Sequence, residues 1–225
     1  MLKPGAARTR VKICGITRVE DGIAAAHAGA DAIGLVFWPG TPRRVTFDQA
    51  RAIVAALPAF VTIVGLFVDP QPDAVSAALA AVPLDLLQFH GDERPELCAS
   101  FGRPYIKAVR VRPGVDLLQY AARFDAAHGL LFDAFVPGGL PGGTGTTFDW
   151  TQLPQQLTNP MSRRLILSGG LTPQNVAVAV RQLHPWAVDV SSGVEVTEAD
   201  GKPRKGIKSA TKIVAFIREV RSAEG

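Results

Sequence analysis

Short apolar runs rich in β-forming residues alternate with amphipathic or alanine-rich stretches from one end of the chain to the other, and few folds accommodate such a pattern. The runs are VKIC (11–14), AIGLVF (32–37), TIVGLFV (62–68), LLQF (86–89), YIKAV (105–109), LLFD (130–133), LILS (165–168) and AVDVS (187–191). Helices are predicted after each, over 19–28, 46–57, 72–81, 94–101, 115–123, 150–156, 173–182 and 209–220. Start signals mark several of them: Thr46 with Asp48 and Gln49, Asp69 ahead of Pro70 and Pro72, and Thr172 ahead of Pro173. Repeated βα units imply parallel strands, closed into a barrel or open as a doubly wound sheet.

An open sheet of the dinucleotide-binding kind carries GxGxxG in its first strand-to-helix turn, whereas the turn here reads CGITR. A length of 225 residues suits one barrel or two smaller domains, and no low-complexity linker interrupts the alternation. The expectation is therefore an α/β fold, a single-domain (β/α)8 TIM barrel spanning 1–225, with residues 1–10 a flexible tail.

Composition excludes several function classes. Hydrophobic content of 47% and charged content of 20% leave ample core material. A net charge of +4 comes from scattered lysines and arginines, with no basic run interleaved with aromatics, which argues against nucleic acid as a partner and suits an acidic, phosphorylated small molecule. The two cysteines, Cys14 and Cys98, form no CxxC pair and no metal-ligand spacing with the four histidines, so neither disulfide nor metal is expected, and a reducing cytoplasm fits. MLKPGAARTR is followed by no apolar signal core, and no stretch approaches the roughly 18 apolar residues of a membrane span.

In such a barrel the chemistry sits at the carboxyl ends of the strands. LILSGGLTPQN places Gly169 and Gly170 between a strand and a helix start, and AVDVSSGVE repeats the arrangement with Ser192 and Gly193 one unit later. Glycine lets the main chain approach a ligand closely, and a helix start supplies unpaired N–H groups, which together suit a phosphate; a tight turn is the bland alternative.

Alternation along the first strand puts Lys12 and Cys14 on one face, inside the barrel, with Val11 and Ile13 toward the helices. Cys14 is then either a small buried hydrophobe or a thiol whose pKa the Lys12 ammonium lowers. Asp133 ends the sixth strand and precedes AFVPGGLPGGTGTTFDW, a glycine-rich segment of the kind that forms lids over water-excluding sites; a solvated aspartate at a loop is the alternative. WPGTPRRV offers Arg43 and Arg44, able to grip a carboxylate or to lie solvated at the surface. QFHGDE offers His90 as a donor or as a packed polar residue.

Taken together, KICGITR, GADAIGLVFWPGTPRRV, LLQFHGDE, the FD at 132–133, GGTGTTFDW, LSGGLTPQNV and AVDVSSGVE resemble phosphoribosylanthranilate isomerase, a (β/α)8 enzyme family of tryptophan biosynthesis. The resemblance runs from Val11 to about Ile217. It implies an Amadori rearrangement of N-(5-phosphoribosyl)anthranilate to 1-(o-carboxyphenylamino)-1-deoxyribulose 5-phosphate, by acid/base catalysis with no cofactor and no metal. It also implies Cys14 as general base, Asp133 as general acid, Arg43 on the anthranilate carboxylate, and phosphate on the main chain of Gly169, Gly170, Ser192 and Gly193. His90 and Asp189 are further candidates for substrate contact, Asp189 toward a sugar hydroxyl or a loop. A monomer or weak homodimer is expected.

The chain departs from the family pattern at Thr146, where the lid motif commonly has lysine, and in the proline-rich VPGGLPGG and the KSATK opening of the last helix. Rival readings are another phosphate-binding barrel enzyme, needing a lysine–glutamate pair, metal ligands or paired aspartates that do not assemble here, and a binding protein that has lost turnover.

Overall fold

The computed structural model describes residues 8–112, 114–134, 149–150, 153–154 and 165–224. Eight parallel strands close into one barrel in sequence order: β1 (Arg10–Cys14), β2 (Ala32–Val36), β3 (Thr62–Phe67), β4 (Leu86–Phe89), β5 (Tyr105–Val111), β6 (Gly129–Ala134), β7 (Leu165–Leu167) and β8 (Ala187–Val190). β1 pairs with β2 and with β8, matching Lys12 to Ala32 on one side and to Asp189 on the other. The helices are α1 (Val19–His27), α2 (Phe47–Ala55), α3 (Pro72–Ala81), α4 (Pro95–Ala99), α5 (Leu117–Arg123), α6 (Val176–Leu183) and α7 (Ala210–Ser222). The helix expected at 150–156 and the lid segment, Thr146 included, lie largely outside the described residues.

Period-two alternation splits the core into shells. Val11, Ile13, Leu87, Phe89, Leu130, Phe132 and Val188 turn outward and join the helices in the main apolar cluster. Ile106, Ala108, Leu131, Ile166 and Ala187 fill the lower barrel, and Cys14, Val36 and Leu66 form a separate patch at its mouth. Burying these side chains stabilises the fold by about 1.5–3 kcal/mol for each large one.

Local signals explain the element starts. Thr46 Oγ1 accepts from the Gln49 N–H while Gln49 Oε1 accepts from the Thr46 N–H, a capping box that opens α2. α3 starts at Pro72, as expected. Asp69, however, caps nothing there: it accepts the Asp92 N–H and donates its own N–H to Glu93 Oε1, tying the loop after β3 to the loop after β4.

Residues 8–10 do not belong to the expected tail. Arg10 opens β1, and Thr9 is buried: it receives Arg221 Nη1–H on its carbonyl at 2.6 Å and donates its N–H to the Glu224 carboxylate. Arg8 reaches Asp31, so residues 8–10 are joined to the barrel seam at its amino-terminal face. After β8 a short 3-10 turn, Ser192–Val194, leads into an antiparallel hairpin of β9 (Glu195–Thr197) and β10 (Pro203–Lys208), which no apolar pattern announces. Among the described residues no helix is long and apolar enough to cross a membrane.

Candidate active site

The carboxyl ends of the strands open on a cleft lined by both polar and apolar side chains. Cys14 from β1, Arg43 after β2, Gln88 and His90 from the end of β4, Asp133 from β6, Ser168 to Gly170 after β7 and Asp189 to Ser192 at the end of β8 all line it. Of the residues expected at the site, all but Gly193, Arg44 and Lys12 are on that wall; Gly193 borders an adjoining depression with Gly170 and Ser192, and Arg44 lines a separate one with Phe37 and Phe47.

Lys12 and Cys14 both face inward. Gly34 on the neighbouring strand makes room for them, since a Cβ there would stand 2.7 Å from Cys14 Sγ and 3.1 Å from Lys12 Nζ. Lys12 Nζ also donates to Asp189 Oδ1 at 2.6 Å, and Ser168 Oγ donates to Asp189 Oδ2 at 3.4 Å. Asp189 therefore spends one oxygen on an ammonium beneath the cleft. Burial works against the Lys12 ammonium, but Asp189 and Cys14 outweigh it and hold its pKa above the usual lysine range.

Lys12 lowers the Cys14 pKa as expected, but not enough to bring it below the usual cysteine value. Burial pushes the Cys14 thiol up, Lys12 pulls it down by less, and Asp189 adds to the rise. The resting form is the thiol, and the ammonium limits the cost of making thiolate without removing it.

Asp133 is 3% exposed and held at both oxygens. Oδ1 accepts from the Ala134 N–H at 2.9 Å, and Oδ2 lies 3.1 Å from His90 Nε2. His90 Nδ1 in turn lies 2.9 Å from the amide nitrogen of Gln88. His90 is thus placed as a partner of Asp133 as much as a ligand for substrate.

The loop after β7 is shaped by glycine. Gly169 has φ +85, and a Cβ there would meet Ala134 N at 2.6 Å and Asp133 Oδ1 at 3.0 Å, so only glycine fits between this loop and the acid. Asn175 fixes the same loop, donating Nδ2–H to Gly170 O and accepting the Thr172 N–H. That local bond delays α6 to Val176, three residues after the expected start.

Arg43 is buried, not solvated. Its Nε and Nη2 donate to Glu195 Oε1 and Oε2 at 2.7 and 2.9 Å, so that edge of the guanidinium is taken by β9. Lys208 Nζ approaches Glu195 Oε1 at 3.2 Å and donates to Ser191 O at 3.0 Å. Burial opposes the Glu195 carboxylate, yet Arg43 and Lys208 hold its pKa below the usual range; burial pushes Lys208 down despite Glu195. Arg43 and Lys208 thus converge on one carboxylate beside the glycine loops.

A sequence model of N-(5'-phosphoribosyl)anthranilate (PRA) isomerase matches residues 11–219. The chain belongs to the phosphoribosylanthranilate isomerase family. It is 58% identical over 214 residues to the N-(5'-phosphoribosyl)anthranilate isomerase of Thiobacillus denitrificans, covering 95% of this chain and 98% of that one. A crystal structure of phosphoribosylanthranilate isomerase in complex with reduced 1-(o-carboxyphenylamino)-1-deoxyribulose 5-phosphate is 36% identical, with TM-score 0.79 over 95% of this chain and 99% of that one. Monomers generated from the dimeric enzyme of Thermotoga maritima are 35% identical, with TM-score 0.78 over 95% and 98% of the two chains.

Within this phosphoribosylanthranilate isomerase, sequence reasoning missed Glu195 and Lys208. Both sit in the hairpin after β8, and only the E of SSGVE hinted at either. Gln88, a polar residue inside the LLQF run, ends the fourth strand where the sequence places candidate site residues. Among the described residues no group of histidine, cysteine, aspartate or glutamate is arranged to hold a metal ion.

Proposed function

We propose that Cys14 and Asp133 carry the two proton transfers of this enzyme's reaction, the isomerisation of N-(5'-phosphoribosyl)anthranilate in tryptophan biosynthesis, with 1-(o-carboxyphenylamino)-1-deoxyribulose 5-phosphate as product. The observation that supports this assignment is that the two groups enter one cleft from β1 and β6, beside the glycine loops of β7 and β8. Protonated Asp133 gives its proton to the furanose ring oxygen as the C1–O bond breaks, and the anilino nitrogen lone pair forms the protonated Schiff base. Cys14 then takes the proton from C2, leaving an enolamine that tautomerises to the ketone. Electrons move only within the substrate, so the steps need no external oxidant or reductant.

The phosphate rests on the main chain of Gly169, Gly170, Ser192 and Gly193, at the starts of helical turns. Arg43 meets the anthranilate carboxylate from outside the edge that Glu195 holds, and Lys12 lowers the cost of forming the Cys14 thiolate next to it. Asp189 acts through Lys12, and His90 through Asp133. The enzyme works in the cytoplasm as a monomer or weak homodimer, which sedimentation at graded concentrations tests. Turnover is measured by the loss of fluorescence of freshly generated phosphoribosylanthranilate, and growth of a tryptophan auxotroph without tryptophan checks it in the cell. Absence of both would overturn the assignment.

A further inference from the structure

Gln88 is fully buried, lines the cleft, and has an unusual hydrogen-bond balance. Its Nε2 lies 2.9 Å from His90 Nδ1, while its Oε1 is buried without a hydrogen-bond partner among the described residues. An amide nitrogen only donates, so Nδ1 must accept, and a neutral His90 then carries its hydrogen on Nε2. That hydrogen faces Asp133 Oδ2 at 3.1 Å. Turning the amide over would point Oε1 at the ring but leave both hydrogens of the NH₂ in the place where Oε1 now finds no partner. One orphaned acceptor costs less than two orphaned donors.

We propose that Gln88 is a positioning residue for Asp133: by donating to His90 Nδ1 it keeps the ring hydrogen on Nε2, so that His90 donates to Asp133 Oδ2 and the carboxyl proton is directed into the cleft. The inference rests on Asp133 being the acid. With Nε2 protonated, the ring edge offers Asp133 no acceptor. Oδ1 accepts the Ala134 N–H and Oδ2 then accepts from His90, so neither neighbour takes the carboxyl proton, and Asp133 lines the cleft where a ligand can. With the opposite tautomer, Nε2 would accept the carboxyl proton and hold it away from the substrate. Gln88 touches neither substrate nor reacting atoms in this scheme; it acts through the ring.

The test reads the tautomer directly. In protein labelled with ¹⁵N-histidine at about pH 8, where imidazole is ordinarily neutral, the His90 signal, identified by its loss in His90→Asn, is expected to show the Nε2–H form. Gln88→Glu, which when ionised can only accept, is expected to move the hydrogen to Nδ1, and Gln88→Met is expected to give a mixture. Both should lower kcat by at least about tenfold with KM little changed, part of the roughly 10²–10⁴-fold that a positioned acid supplies. An Nδ1–H form in the unmodified enzyme would overturn the proposal, as would variants that change the tautomer and keep kcat. Turnover surviving in Asp133→Asn would instead remove the acid assignment, an outcome distinct from either.

Discussion

Arg43 and Glu195 meet edge to edge in the wall of the cleft, Nε to Oε1 at 2.7 Å and Nη2 to Oε2 at 2.9 Å, although 152 residues separate them in the chain. The pair is buried, so its geometry is set by the surrounding protein rather than by solvent. Glu195→Gln keeps the shape but weakens the hold on the guanidinium. KM for phosphoribosylanthranilate is expected to rise about tenfold or more, with kcat changed less. Glu195→Ala leaves two cations buried without their carboxylate and should cost about 3–5 kcal/mol of stability, read by denaturant titration.

Cys14→Ala and Asp133→Asn should each reduce kcat by roughly 10²–10⁴-fold while KM stays within a few-fold, because each removes a proton-transfer group and not a binding contact. Steady-state kinetics on the two variants checks this. Near-normal turnover in either would remove that residue from the mechanism.

The pH dependence follows from the Cys14 thiol being raised above its ordinary value of 9.0 by burial. A thiolate base whose pKa lies above the assay pH is a minority species, and its fraction grows about tenfold per pH unit. The log rate of Cys14 alkylation in the free enzyme, which reads the thiolate without the Asp133 proton that turnover also needs, is therefore expected to climb with a slope near one from neutral pH into the alkaline range. Lys12 pulls the thiol down, so Lys12→Met should shift the climb to higher pH and lower the rate at any fixed pH below it. A flat profile in both proteins would count against a thiolate base.

Gly169→Ala tests the contact between the phosphate loop and the acid. The added methyl must adopt φ +85 and press on Ala134 N and Asp133 Oδ1, so about 1–3 kcal/mol of strain is expected together with a fall in kcat. A control at Gly201, also at positive φ but with nothing within 4 Å of an added Cβ, should carry the backbone cost without the loss of turnover.

Strands were legible because each is a short apolar run between turns: LLQF is β4 residue for residue, and the other seven differ by two residues or fewer at either end. Alternation correctly placed Lys12 and Cys14 inside, and the GG at 169–170 and the SSG at 191–193 marked the loops after β7 and β8. What could not be read was long-range pairing of polar groups. PRKGIK carries no period-two pattern, because β10 pairs with a three-residue partner and its first residues are exposed. Glu93 and Lys107 gave no local signal either, yet they form a fully buried pair 3.0 Å apart behind the barrel wall, with Lys107 Nζ donating to Gly91 O. The balance at Cys14 was not legible for a related reason: a sequence shows the neighbouring ammonium, whereas the burial that outweighs it is a property of the closed barrel.

The seam at the amino-terminal face has a consequence for how the polypeptide can be threaded. Thr9 is bound to Arg221 and Glu224, so the two described termini lie side by side where β1 meets β8. A short peptide bridge between them would make the backbone circular, and cutting that circle at the exposed turn around Phe60 would give a permuted polypeptide that begins with β3. Strand neighbours, not the order of translation, define the ring, and the permutant would reach the same closed architecture.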